Sequence, residues 1–260
     1  MKKSAFGGIA LALAGIAAGL YLDGGKFGQM LQPTAALIVF GGTLGAVIVQ
    51  FPVSVLHLAL RQLKPVFGGE DDQLAERVAA LSRYAAQARR NGLLSLDREI
   101  EAMDDPYLRL CVTLAVDGMK PDLLRPVATA ASDKIAAQDA LLPRVYDAAG
   151  GFAPTVGIIG AVIGLIQVMQ KMQNINEVGQ GIAVAFVATL YGVGAANLFF
   201  LPCAGRIKLL AARRQLLREV TMEGVACIAD GLSPRSVEQR LSAYVESPAA
   251  ALPVAKLAGR

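Results

Sequence analysis

Histidine occurs once in this 260-residue chain, at position 57, and cysteine three times, at 111, 203 and 227. The cysteines are scattered, odd in number and free of any C-x-x-C spacing, so they read as small buried residues in a reducing compartment, not as zinc or redox ligands. No His/Cys/Asp cluster and no glycine-rich loop ending in Lys-Ser/Thr is present. Gly41-Gly42 lies in the middle of an apolar run, where it cannot cradle a phosphate in water. These absences argue against an enzyme and against a bound cofactor or metal. The net charge of +4 is modest and no aromatic-basic stripe accompanies it, which argues against nucleic-acid binding.

Charge itself is missing from four stretches. Ser4–Leu22, Pro33–Phe51, Ala148–Gln170 and Val178–Gly205 contain no Asp, Glu, Lys or Arg, although charged residues make up 18% of the chain. A helix needs ~20 apolar residues to cross a hydrocarbon core ~30 Å thick, and a charge at its centre costs roughly 2.5–3.5 kcal/mol. The pattern predicts an all-α, polytopic membrane protein. Its four transmembrane helices come as two hairpins, residues 1–51 and 148–205, separated by a helical cytoplasmic insert over 52–147. A tail helix is expected within 206–246, and the Ala- and Pro-rich end, 247–260, is expected to be disordered. Met1-Lys2-Lys3 before an apolar run also fits a signal peptide, but the run is long and a second span follows closely, so the first span is expected to be retained.

Basic residues set the orientation. The loops Asp23–Gln32 and Lys171–Glu177 carry one each, Lys26 and Lys171, whereas the insert carries twelve and the tail nine. Both termini and the insert are therefore expected in the cytoplasm, with the bilayer itself as a partner. Within the insert, Leu74, Val78, Leu81 and Ala85 share one face of a helix over Gln73–Arg90 that stops at Asn91-Gly92. A short helix near Ser95–Met103 is expected next. Asp105-Pro106 starts another that stops at Asp117-Gly118, and Pro121 begins one that continues, with a break or bend near Pro143, into the third span. The tail helix is expected over Ile207–Asp230.

Gly15/Gly19, Gly41/Gly45 and Gly160/Gly164 each put two glycines on one helix face, which suits close helix contact either within a subunit or between subunits. Pro154 and Pro202 sit near one end of the third and fourth spans, as kinks or as hinges. Thr189 and Asn197 are the main polar residues of the fourth span; the Thr hydroxyl can bond the carbonyl one turn back. No Asp, Glu, Lys, Arg or His lies inside any run, so a titrating group for ion movement must come from another chain.

Phe152-Ala-Pro-Thr-Val-Gly-Ile-Ile-Gly-Ala-Val-Ile-Gly-Leu-Ile166 and Ala185-Phe-Val-Ala-Thr-Leu-Tyr-Gly-Val-Gly-Ala-Ala-Asn197 resemble the third and fourth spans of the MotA/PomA flagellar motor stator family. Ile38-Val-Phe-Gly-Gly-Thr-Leu-Gly-Ala46 is similar to its second span. Ala88-Arg-Arg-Asn-Gly-Leu-Leu-Ser-Leu-Asp97 and Asp230-Gly-Leu-Ser-Pro-Arg235 are similar to its insert and tail motifs. The resemblance implies a five-membered ring in the inner membrane around a dimer of the single-span partner MotB, which carries the ion-binding Asp. Proton or sodium flow then drives torque on the rotor protein FliG. It also implies roles: Pro154 and Pro202 in coupling, Thr189 and Ala161 on the ion pathway, and Arg89, Arg90 and Asp97 at the rotor. Ala161 stands where sodium-driven members carry Thr, which implies proton coupling. The related ExbB/TolQ class shares the Ala-Pro-x-x-Gly segment but usually has three spans.

Overall fold

The structure, a computed structural model, describes residues 2–24, 27–68, 73–170, 172 and 175–245. The segment 247–260, expected to be disordered, lies outside the described residues, as do Lys26 and Lys171. Among the described residues every regular element is helical. In chain order these are α1 (Lys2–Leu22), α2 (Pro33–Gln50), α3 (Val53–Arg61), α4 (Leu63–Gly68), α5 (Gln73–Asn91), α6 (Asp97–Ile100), α7 (Pro106–Val116), α8 (Pro121–Gln170), α9 (Ile175–Ala195), α10 (Leu201–Ala229) and α11 (Pro234–Val245). Short 3₁₀ turns occupy Phe27–Met30 and Leu93–Leu96, and a π-turn, Ala196–Phe200, joins α9 to α10.

Among the described residues three helical stretches are long and apolar enough to cross a membrane: α2, α8, and the run Val178–Ala229, which takes in most of α9 and all of α10. The first expected span coincides with α1, whose described apolar part, Gly7–Leu22, is shorter. Large apolar side chains stand open along these helices, among them Leu11, Leu37, Val49 and Phe186. A contiguous apolar surface of this kind needs lipid or protein against it.

By contact the chain forms two compact units: Met1–Glu70 with Gln138–Leu210, and Asp71–Ala137 with Ala211–Arg260. In the first, Phe51 and Pro52 are both extended and end α2, as the steric clash before a proline demands. The amphipathic α3 and α4 follow. Ala59 and Val66 bury against Leu142, Val145 and Tyr146 of α8 and Ala204 and Ile207 of α10, and Tyr146 Oη donates to the Ala59 carbonyl at 3.0 Å. As expected, α8 continues from Pro121 into the third span. Of the break or bend expected near Pro143, no break occurs, because Pro143 is buried between core residues Leu142 and Val145, and burial outweighs the one hydrogen bond that a helix proline forfeits.

In the second unit, Val78, Leu81 and Ala85 of α5 are buried, as their spacing predicts, against Val220 and Val225 of α10 and Leu241 of α11. α11 is a helix the sequence reading did not separate from the tail. α7 starts where expected: Asp105 caps it by accepting from the Tyr107 N–H at 2.8 Å, with Pro106 at its first position. Buried Glu223 holds two guanidiniums, Arg125 at 3.0 Å and Arg240 at 2.8 Å, tying α8 and α11 to α10. Arg77 joins Asp105 at 2.6 Å. Cys111 is fully buried and its thiol is pushed up to about 12, chiefly by desolvation, so it stays protonated and inert at neutral pH.

Candidate functional site

Two sets of residues concentrate the features expected to matter, one in each unit. In the first unit the hairpin of α8 and α9 is sealed by small residues. A Cβ added to Gly157 would lie 2.9 Å from the Ala188 carbonyl oxygen and 3.4 Å from the Thr189 Cα. One added to Gly192 would lie 2.4 Å from the Ala153 carbonyl, and Gly164 and Gly181 each meet the other's carbonyl oxygen within 3.2 Å. The seam therefore runs Ala153, Gly157, Gly160, Gly164 against Gly192, Ala188, Ala185, Gly181, and it holds no room for side chains. α2 packs on the same hairpin: Ile38 meets Gly160, and Gly42 meets Val156.

The glycine pairs thus divide. Gly160/Gly164 are used inside the chain, whereas Gly15/Gly19 and Gly41/Gly45 have nothing within 4 Å of an added Cβ. Thr189 flanks the seam, half-buried, and its hydroxyl donates to the Ala185 carbonyl at 3.3 Å, one turn back. Asn197 likewise donates to Val193 at 2.9 Å. Ala161 is the half-buried neighbour of Gly160.

Gly150, four residues before Pro154, packs against Leu201, the residue before Pro202, with an added Cβ 2.6 Å from its side chain, whereas Ala153, the residue before Pro154, packs against Gly192. A helix proline leaves the carbonyl four residues back without its donor. Before Pro202 the chain widens into the π-turn, where the Leu201 N–H reaches back to the Ala196 carbonyl, a five-residue step. One inserted residue of this kind lets a proline sit in a helix at modest cost and bends it locally. Near Pro154, the Thr155 hydroxyl donates to the Phe152 carbonyl at 2.8 Å.

The second set lies at the end of α5. Arg89 and Arg90 occupy its last turn, where cations complement the helix dipole. Gly92, at φ +84, turns the chain where a side chain would be strained. Gln87 donates to the Ser95 carbonyl at 3.1 Å and Ser95 Oγ to the Gly92 carbonyl at 2.7 Å, while Leu96 anchors the turn in the core. Asp97 then opens α6 at its acid-favouring end. Arg89, Arg90 and Asp97 are all exposed, and none has an ion-pair partner within 4 Å among the described residues. Arg90 Nε makes only a long bond, 3.3 Å, to the Ala86 carbonyl of its own helix. The fold thus presents charges of both signs on a firmly held turn.

Some residues of these sites were not singled out from sequence. Tyr191 donates to the Met30 carbonyl and accepts from the Gln32 N–H at 3.2 Å, pinning the start of α2 to α9. Gly181, Ala185, Ala188 and Gly192, spaced at four, three and four, form one helix face, and that spacing was the signal for the seam. Arg206, the first charged residue after the fourth run, lines a cavity of about 350 Å³ with Gly8, Phe67, Leu198 and Pro202.

Comparison with known proteins agrees with this architecture. A model of the MotA/TolQ/ExbB proton channel family matches residues 99–220, and one of the motility protein A N-terminal region matches residues 6–92. Motility protein A of Bacillus subtilis (strain 168) is 35% identical over 247 residues, covering 94% of this chain and 91% of that protein. The flagellar MotAB stator complex from Bacillus subtilis superposes with a TM-score of 0.84 at 34% identity, over 94% of this chain and 96% of that one. C. jejuni MotAB gives 0.88 at 27% identity, over 95% and 97%. The chain therefore belongs to the MotA/TolQ/ExbB proton channel family, in the motility protein A branch of flagellar stator subunits.

Proposed function

We propose that this stator subunit is a proton-driven torque generator that works only in complex with a MotB-type single-span partner. The observation that carries this reading is the absence of any Asp, Glu, Lys, Arg or His from the four apolar runs, next to a hairpin seam too tight for one. Ion passage past such a wall needs a carboxylate from another chain, and an intramembrane acid is a functional group almost by default. The solved MotAB complexes support a partner of this kind.

Thr189 and Ala161 flank the α8–α9 seam and form the chain's side of the ion path. Pro154 and Pro202, near the same end of the third and fourth spans, transmit the partner's protonation state as a shift of the helices that leave the membrane. Five copies form the ring, in the inner membrane, with both termini and the Arg89–Asp97 turn in the cytoplasm facing FliG. One elementary charge crossing ~100 mV releases about 2.3 kcal/mol, which suffices to move helices but breaks no covalent bond. The protein is on this reading not an enzyme and uses no cofactor. An ExbB/TolQ-like role is not favoured, since the relative and the solved structures described above are motility proteins along nearly the whole chain. Proton drive rests on Ala161, which offers no hydroxyl to a partly dehydrated cation. In a stator-deleted strain carrying this protein and its partner, swimming should persist in sodium-free medium and stop on adding a protonophore. Swimming that requires sodium and survives the protonophore would overturn the assignment.

A further inference from the structure

The cavity beside the π-turn shares Pro202 with the proposed coupling residues, but its other walls have no part in that function. Its volume, about 350 Å³, falls at the small end of ligand sites, which run roughly 300–1,000 Å³. Its walls are mostly apolar: Ile9 and Ala12 from α1, Val66 and Phe67 from α4, Leu198 from the π-turn. Arg206 lines it too, and the Arg206 Nε is buried without a hydrogen-bond partner. No other group of Arg206 has a hydrogen bond or an ion pair among the described residues. Lys208, two residues on, differs: Asp147 neutralises it at 2.8 Å.

A buried N–H donor left unsatisfied costs about 1–3 kcal/mol, more when charged, and a native protein rarely leaves one so. An anionic acceptor meets a guanidinium N–H most strongly, and a phosphate can engage the guanidinium fork. The missing partner must also bring apolar bulk, because a small hydrated anion would leave the walls beside Phe67 and Leu198 uncovered. Arg206 stands at the end of a charge-free run, the depth at which lipid headgroups lie. The cavity opens among helices that are themselves apolar enough to meet lipid. One class of molecule satisfies all of these conditions at once.

We propose that this cavity binds an anionic phospholipid, its phosphate on the Arg206 guanidinium and part of an acyl chain against Phe67 and Leu198. The site is then a lipid-dependent support for the π-turn, since the bound headgroup sits one turn from Pro202. Binding is independent of which ion drives the motor and of the rotor contact.

The test is native mass spectrometry of the full chain in its purified assembly, after reconstitution in phosphatidylglycerol or in phosphatidylcholine. The wild type should keep phosphatidylglycerol through gentle activation and release phosphatidylcholine. Arg206→Gln should lower phosphatidylglycerol retention by about tenfold, which corresponds to ~1.4 kcal/mol. Ala12→Leu, which fills the apolar end and leaves the arginine in place, should lower it too, and it carries the test if Arg206→Gln folds poorly. Arg61→Gln, which removes an exposed charge from the same unit away from the cavity, should leave retention unchanged. Equal retention of the two lipids, or equal loss in Arg61→Gln, would overturn the proposal. So would displacement of the bound lipid by glycerol phosphate, because the site would then recognise a free anion and not an amphiphile. A change of assembly size in Arg206→Gln with unaltered lipid content would assign Arg206 to a subunit contact instead.

Discussion

On the proposed reading Arg89, Arg90 and Asp97 meet the rotor, and they have what such a contact requires: charge, exposure and a fixed backbone. Surface ion pairs are worth about 1 kcal/mol or less, which suits a contact that forms and releases at every step. Gly92, Ser95 and Leu96 supply the fixed backbone, so the side chains are free to exchange partners while the turn stays in place. Arg89→Glu should therefore reduce swimming speed or torque at least several-fold while the purified assembly keeps its size and melting temperature, because a lone exposed charge contributes under ~0.5 kcal/mol to stability. Light scattering and tethered-cell rotation check both halves. A smaller assembly or a lower melting temperature would give Arg89 a folding role. Asp97 was legible as an acid at this place; its role as the start of α6 was legible only once the 3₁₀ turn before it was known. The unmet Nε of Arg206 was invisible in sequence, since nothing in Gly205-Arg206-Ile207 distinguishes it from the paired Lys208.

Element boundaries followed sequence wherever a local chemical device sets them. Asp105-Pro106 starts a helix and Asn91-Gly92 and Asp117-Gly118 end two, all as their caps and positive-φ glycines dictate. Legibility failed where packing decides. Pro143 does not interrupt α8, and α10 begins at Leu201, well before the expected Ile207, because the span and the tail share one helical core. α3 and α4 were not separated from the insert, although Val55, Ala59 and Val66 carry the apolar spacing that packs them. The π-turn has no sequence signature beyond Pro202 itself. The glycines divide in the same way: three look-alike motifs, of which Gly160/Gly164 alone lie in a close intrachain contact. Gly192→Ala drives a methyl into the Ala153 carbonyl, and overpacking of this kind costs typically 1–3 kcal/mol. Its melting temperature in detergent should fall by several degrees, whereas Gly45→Ala, with open space around it, should leave the monomer's fold unchanged. Equal loss in both variants would mean that the seam is not tighter than the open face.

At the scale of the molecule, a stator subunit must hold an ion path without providing the titrating group. Sequence already states the second half through four charge-free runs, and the first is the proposed role of the wall that the tightly packed α8–α9 hairpin forms. Neither says how many copies surround the path or which face meets the partner, since those depend on surfaces that a single chain leaves open: Gly41/Gly45, Gly15/Gly19 and the apolar rows of α1 and α2. The division of labour is the central claim, and proton flux into proteoliposomes tests it most directly. With a potential imposed, vesicles holding this chain alone should acidify no faster than empty ones. Vesicles holding it with a MotB-type partner should acidify measurably faster, and replacing the partner's membrane Asp by Asn should abolish the difference. Proton flux through the chain alone, or flux unchanged by that Asn, would contradict the account.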